Sequence, residues 1–216
     1  MSVAIAIKQN DKVYVGVDSL TSCGFSKITL SNPNNYKMWK TRGLDNSLMA
    51  HTGNARDMGV VKFQNYIPAV RSLTQDIDFE FVQTELMYDI FDSCKERGFV
   101  NDNDEGPSLT SSYLFTYQDK IYLLNTDLTV IEFNDYAAIG SGKDSALGSL
   151  ASSKNDPVEI RIIKAIIAAS NIDLHVGFPI IISNTESTEF LVIHEEYAKK
   201  ALNAYKTNKE NIIKQK

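Results

Sequence analysis

Apolar positions in the first third of the chain alternate with short polar turns. SVAIAIK (residues 2–8) and KVYVGVD (12–18) are rich in β-branched residues and flank a turn-forming QND, which predicts a two-stranded hairpin. The polar stretch SKITLSNPNNYK reads as a loop, and KMWK and SLMAHTG read as two further strands joined by the turn RGLDN. From Asn54 the period lengthens. Met58, Val61, Phe63, Ile67, Val70 and Leu73 recur at helical spacing, with Pro68 as a kink or boundary. A second helix is expected in DFEFVQTELMYDIFDSCKERG, through Phe81, Leu86, Tyr88, Ile90 and Phe91, ending at Gly98 behind Lys95 and Arg97.

VNDNDEGP reads as a polar loop, followed by three strands in SLTSSYLFTYQ, KIYLLNT and TVIEFNDYAAIG. Helical patterns return at 141–152 and 157–170, the second with Pro157 suited to a first turn. GFPIIISN and EFLVIH close the strand set, ahead of a Lys-rich amphipathic segment. Helices grouped in pairs, rather than alternating with strands, exclude a βαβ parallel sheet. The expected class is α+β, with two antiparallel sheets stacked between helix pairs as a four-layer αββα sandwich. The expected division is a domain over 1–195 and a helix or tail over 196–216.

With 216 residues, 43% of them hydrophobic, the chain is long enough for one domain with a real core. A formal net charge of -5 gives no footprint for nucleic acid. The two cysteines, Cys23 and Cys94, are far apart, and His51, His175 and His194 do not cluster, so no metal or other cofactor is expected. The start lacks a basic region and a signal-like apolar run, and nothing approaches a membrane span; a cytoplasmic protein is expected.

GSGKDS at 140–145 invites a phosphate-loop interpretation, but Ala137 and Asp144 stand where that motif needs a glycine and a hydroxyl residue. Other residues converge better. Ser2 follows Met1, a position from which methionine is readily removed, so Ser2 would then carry a hydroxyl and a free α-amine, a nucleophile and a base on one residue. Asp18 ends the strand antiparallel to the one that Ser2 begins, which places both at one sheet edge. Lys37 starts a later strand, and Gly53 lies where a strand gives way to a helix, so its N–H is a candidate oxyanion donor. Taken singly, each is an ordinary turn, surface or cap residue.

The segments SVAIAIKQNDKVYVGVDSLTS, YKMWK, LMAHTGNARD, YAAIGSGKDSALGSL and NIDLHVGFPI resemble, in that order, the successive motifs of proteasome β-subunits and of the bacterial HslV peptidase, to about His194. That resemblance implies the same αββα fold and an N-terminal nucleophile hydrolase without a cofactor. The implied catalytic set is Ser2, Asp18, Lys37, Gly53, Ser141 and Asp173. Thr21, Ser22, His51 and Ala55 would line the substrate pocket, while His175 and His194 read as structural. Serine stands where the family usually has threonine, and Val176 where proteasome subunits carry serine. The loop before Lys37 is longer than in HslV and leaves Lys40 as an alternative. Lys37 and Lys40 point to opposite faces of a strand, and the motif favours Lys37, which makes Lys40 a solvated charge.

The implied activity is hydrolysis of peptide bonds in a peptide or unfolded protein, through an acyl-enzyme at Ser2. A retained Met1 would block the amine. The alternatives are a non-catalytic ring subunit and an amidase or transpeptidase on the same site. The helices at 54–97, taken to expose broad apolar faces, suggest a ring-shaped homo-oligomer, and the resemblance adds a possible AAA+ unfoldase partner.

Overall fold

The computed structural model describes residues 2–23, 26–64, 77–103 and 106–214. Strands β1 (Ala4–Gln9) and β2 (Lys12–Asp18) form the expected hairpin. They are followed by β3 (Leu20–Cys23), β4 (Ser26–Thr29), a 3-10 turn at Pro33–Asn35, β5 (Met38–Trp39) and β6 (Ser47–Gly53). Helix α1 (Ala55–Phe63) comes next, and then α2 (Phe79–Phe81), which runs through a π-helical turn at Val82–Leu86 into α3 (Met87–Lys95). The helical pattern at Ile67, Val70 and Leu73, with Pro68, lies outside the described residues.

The strands β7 (Val100–Asn103), β8 (Gly106–Leu109), β9 (Ser111–Tyr117), β10 (Lys120–Leu124), β11 (Val130–Phe133) and β12 (Tyr136–Ile139) fill the middle of the chain. Helices α4 (Lys143–Ser152) and α5 (Val158–Ser170), strands β13 (Ile180–Asn184) and β14 (Leu191–Ile193), and helix α6 (Glu195–Lys214) complete it.

One sheet has the order β12-β1-β2-β13-β14 and the other β11-β10-β9-β6-β5, with antiparallel pairing throughout. The sequence of β1 explains how the layers pack. Ala4 and Ala6 face the second sheet beside Val15, Leu48 and Leu114, while Ile5 and Ile7 face α4 and α5 beside Leu150, Ile162 and Ile166. Small residues let the sheets approach, and each fully buried isoleucine contributes about 1.5–3 kcal/mol. Gly16 serves the same packing, because a Cβ there would overlap the Ile162 side chain. On the far side α1 and α3 cover Met49, Tyr113 and Phe115 through Val61, Ile90 and Cys94. These layers make the αββα sandwich.

Three local expectations are corrected. The polar segment before Lys37 begins with β4, which pairs with β3 as a hairpin and is exposed at every residue, so it carries no alternation to read. VNDNDEGP likewise opens the hairpin β7–β8. TVIEFNDYAAIG is two strands in different sheets: Ile131 pairs with Leu123 and Ala138 with Ile5, and the chain changes layer at Asn134–Asp135. The apolar face of α3 is spent on the core through Met87, Ile90 and Phe91, which leaves Phe63, Phe79 and Tyr88 as the large exposed apolar side chains of α1–α3.

Helix α6 packs Ala198 and Leu202 onto the α5 side of the core, and Tyr205 donates to Asp156 Oδ1 at 2.7 Å. Among the described residues no helix is long and apolar enough to cross a membrane.

Candidate active site

Ser2 precedes β1 and is 3% exposed. Its backbone is gripped by the segment that links β12 to α4. Ser2 N donates to Ser141 Oγ at 3.1 Å, Gly142 N donates to Ser2 O at 3.2 Å, and Ser141 Oγ reaches the same carbonyl at 3.4 Å. Gly140 adopts a φ of 95°, and a Cβ on it would overlap the Ser2 carbonyl oxygen. The GSG sequence is therefore a cradle for the Ser2 backbone, which accounts for Gly140, while Gly142 makes room for Ala169, both without a phosphate.

Asp18 closes β2 with its carboxylate turned inward. Oδ1 accepts from Val3 N at 3.1 Å and from Lys37 Nζ at 3.0 Å, and Oδ2 accepts from Leu20 N at 3.1 Å and Gly177 N at 3.2 Å. Lys37 Nζ also donates to Ser2 Oγ and to the Leu20 carbonyl, so all three of its N–H directions have acceptors. Burial lowers the Lys37 pKa, opposed by Asp18 and Asp173. Burial likewise raises that of Asp18, opposed by Lys37 and by the Val3 and Gly177 N–H groups.

Lys40 lies elsewhere. It is half-buried at the other end of the strand, where it donates to the Asn184 and Thr185 carbonyls at 3.0 and 3.1 Å. The expectation of a solvated charge is corrected: Lys40 caps the end of β13.

A cavity of about 250 Å³ opens beside Ser2 and Lys37. Thr21, Ser22, His51, Gly53 and Ala55 line it, together with Leu30 and Met58. Ser22 Oγ lies 3.3 Å from His175 Nδ1. Gly53, with a φ of 135°, packs against Ser111 so closely that any Cβ would overlap the Ser111 hydroxyl. Asp173 is set back from this group. Its Oδ1 accepts from His175 N at 2.8 Å, and its buried Oδ2 has no hydrogen-bond partner among the described residues. No hydrogen bond joins it to Ser2 or Ser141 there.

Two residues that the sequence gave no reason to select lie behind His51. Ser111 Oγ is 2.9 Å from His51 Nε2 and donates to Asp57 Oδ1 at 2.9 Å, while Asp57 Oδ2 accepts from Thr110 Oγ1 at 2.6 Å. Burial holds His51 below the usual imidazole range. Burial would raise the Asp57 carboxyl, but hydrogen bonds from His51, Thr110 and Ser111 hold it below its ordinary value. The one available signal for Asp57 was its place in the first turn of α1 behind the N-cap Asn54, which reads equally as a helix-dipole residue. Among the described residues no cluster of His, Cys, Asp and Glu is arranged to hold a metal ion.

The layer order and the residues gathered at this sheet edge define a proteasome-like fold, the one that the sequence resemblance implied. No family model matches the chain, and neither does any curated protein. Solved structures do. The chain is similar to Thiobacillus denitrificans BPH in complex with epoxomicin (20% identity, TM-score 0.66, 84% of this chain and 97% of that one). It is similar to Anbu, an ancestral β-subunit, from Yersinia bercovieri (14% identity, TM-score 0.68, 99% and 97%) and to eukaryotic HslV from Trypanosoma brucei (15% identity, TM-score 0.55, 84% and 98%).

Proposed function

We propose that this protein is an N-terminal serine peptidase that cleaves peptide bonds through an acyl-enzyme on Ser2, once residue 1 has been removed. The contact of Ser2 Oγ with Lys37, itself held by Asp18 at 3.0 Å beside a cavity, carries this proposal. The freed α-amine, with an ordinary pKa of about 7.7–8.0, takes the hydroxyl proton directly or through one water. Lys37 as a neighbouring ammonium lowers the pKa of that amine and stabilises the developing alkoxide. Ser2 Oγ attacks the substrate carbonyl, and the Gly53 N–H receives the oxyanion. The proton returns to the leaving amine as the C–N bond breaks, and water then releases the acyl group. Ser141 holds the Ser2 backbone, and Asp173 acts on Lys37 through its charge. Lacking a γ-methyl, serine is held less tightly at χ1 than threonine would be.

The likeness to a fold seen with epoxomicin bound supports this reading and supplies its test. Intact mass should register loss of residue 1 and one covalent adduct with a peptide epoxyketone. Ser2→Ala should abolish both the adduct and peptide turnover while leaving the fold, and Ser2→Thr should keep or raise turnover. Wild-type turnover by Ser2→Ala would reject the proposal. A ring-shaped homo-oligomer belongs to the same proposal, supported by the exposed Phe63, Phe79 and Tyr88. A monomer in sedimentation velocity at micromolar concentration would remove it.

A further inference from the structure

The cavity beside Ser2 ends on a hydrogen-bonded system whose protons can be assigned by counting. Ser111 Oγ has one proton. It accepts from Asn54 N at 2.9 Å and faces Asp57 Oδ1 at 2.9 Å, an oxygen that also accepts from Met58 N at 3.1 Å. The Asp57 carboxylate is held in its ionised form by its hydrogen bonds, so it only accepts, and the Ser111 proton goes to it. Ser111 must then receive a proton from His51, whose Nε2 also lies 3.6 Å from Asp57 Oδ1. Nε2 therefore carries the ring hydrogen. Burial keeps the ring neutral, which leaves Nδ1 with a bare lone pair. The one side-chain hydrogen bond of the ring among the described residues is at Nε2 with Ser111, the Asn54 backbone also acts on the ring, and His51 lines the cavity.

The remaining walls bear on what enters. Leu30, Ala55 and Met58 are apolar, Thr21, Ser22 and Asn54 are polar, and the ammonium of Lys37 is already matched by Asp18. A side chain seated here passes mixed walls without an unmatched charge and, at His51, meets an acceptor with a carboxylate behind it. We infer that His51 selects substrates whose side chain next to the scissile bond ends in a hydrogen-bond donor, as in glutamine, over isosteric apolar or acidic side chains. This rests on the peptidase proposal above. A methionine in the same place would leave the His51 lone pair desolvated and unpaired, and a glutamate would add a second carboxylate near Asp57.

The test uses three acetylated peptide aminomethylcoumarins, identical except for glutamine, methionine or glutamate next to the scissile bond. The glutamine peptide is expected to exceed both others in kcat/KM by about 10- to 100-fold. His51→Leu should erase its advantage over methionine. Methionine cleaved as well as glutamine, or a ratio unchanged in His51→Leu, would overturn the inference and leave the peptidase standing. If none of the three is cut, the peptidase proposal fails, and nitrogen-15 NMR of the histidine-labelled wild-type protein decides the pocket without any variant. A His51 ring protonated on Nε2, with an Nδ1 resonance that moves on adding the glutamine peptide amide and not the methionine one, supports the assignment. Protonation on Nδ1, or no movement, overturns it.

Discussion

Lys37 Nζ and Asp18 Oδ1 stand 3.0 Å apart with their side chains 6% and 0% exposed. An ion pair this buried is held by what surrounds it, and the Asp18 carboxylate accepts from three backbone N–H groups as well as from the ammonium. Asp18→Asn keeps the shape but turns an NH₂ group toward those donors and leaves the ammonium without a counter-charge. A loss of about 3–5 kcal/mol is expected in urea unfolding. A change below about 1 kcal/mol would refute the view that this carboxylate anchors the β1–β2 edge.

The two lysines that flank β5 should separate cleanly. Lys37→Ala removes the group in contact with Ser2 Oγ and is expected to cost about 10²–10⁴-fold in peptide turnover. Lys40→Ala removes two hydrogen bonds to the end of β13, expected to lower stability by about 1–3 kcal/mol with turnover changed only severalfold. A dead Lys40→Ala beside an active Lys37→Ala would reverse the assignment.

His51 gives stability a pH dependence whose sign follows from its burial. The folded ring resists protonation, whereas in the unfolded chain it takes a proton near pH ~6.5. Below that pH the unfolded state binds more protons, so the His51 contribution is fully present above ~6.5 and is lost as pH falls through the folded value. The urea midpoint should drop between pH 7.5 and 5.5, and drop less in His51→Leu. Parallel pH profiles for the two proteins would contradict the burial of an uncharged ring.

Gly140→Ala tests the cradle around Ser2. At a φ of 95° the new Cβ overlaps the Ser2 carbonyl oxygen and crowds Thr52. The variant is expected to keep its far-ultraviolet circular dichroism, lose about 1–3 kcal/mol and lose at least tenfold in turnover, because Ser2 is displaced while the sheets persist. Unchanged turnover would mean that the position of the Ser2 backbone does not matter.

The strands that bury both faces were legible because they leave a continuous apolar run, as in AIAI of β1, and Ser47–Gly53 matched its predicted bounds. The hairpins β3–β4 and β7–β8 were not. Their residues are largely exposed, so pairing rather than burial defines them, and pairing leaves no trace in one chain's polarity pattern. The hairpin geometry foretold that Ser2 and Asp18 would lie at one sheet edge, where Lys37 bridges them. Ser111 and Asp57 stayed hidden, because their roles arise from β9 lying beside β6, a neighbour relation that no local signal encodes.

The bonds that hold Ser2 and Asp18 span nearly the whole chain: Ser2 to Ser141 is a separation of 139 residues, and Asp18 to Gly177 one of 159. Closing loops of that length is slow compared with forming a helix or a hairpin. On a ribosome, the segment that carries Ser2 and Asp18 emerges well before the one that carries Gly177. It cannot be seated until Gly177 has followed it out. An immature chain therefore carries Ser2 without the geometry that the proposed reaction requires, a delay set by topology alone.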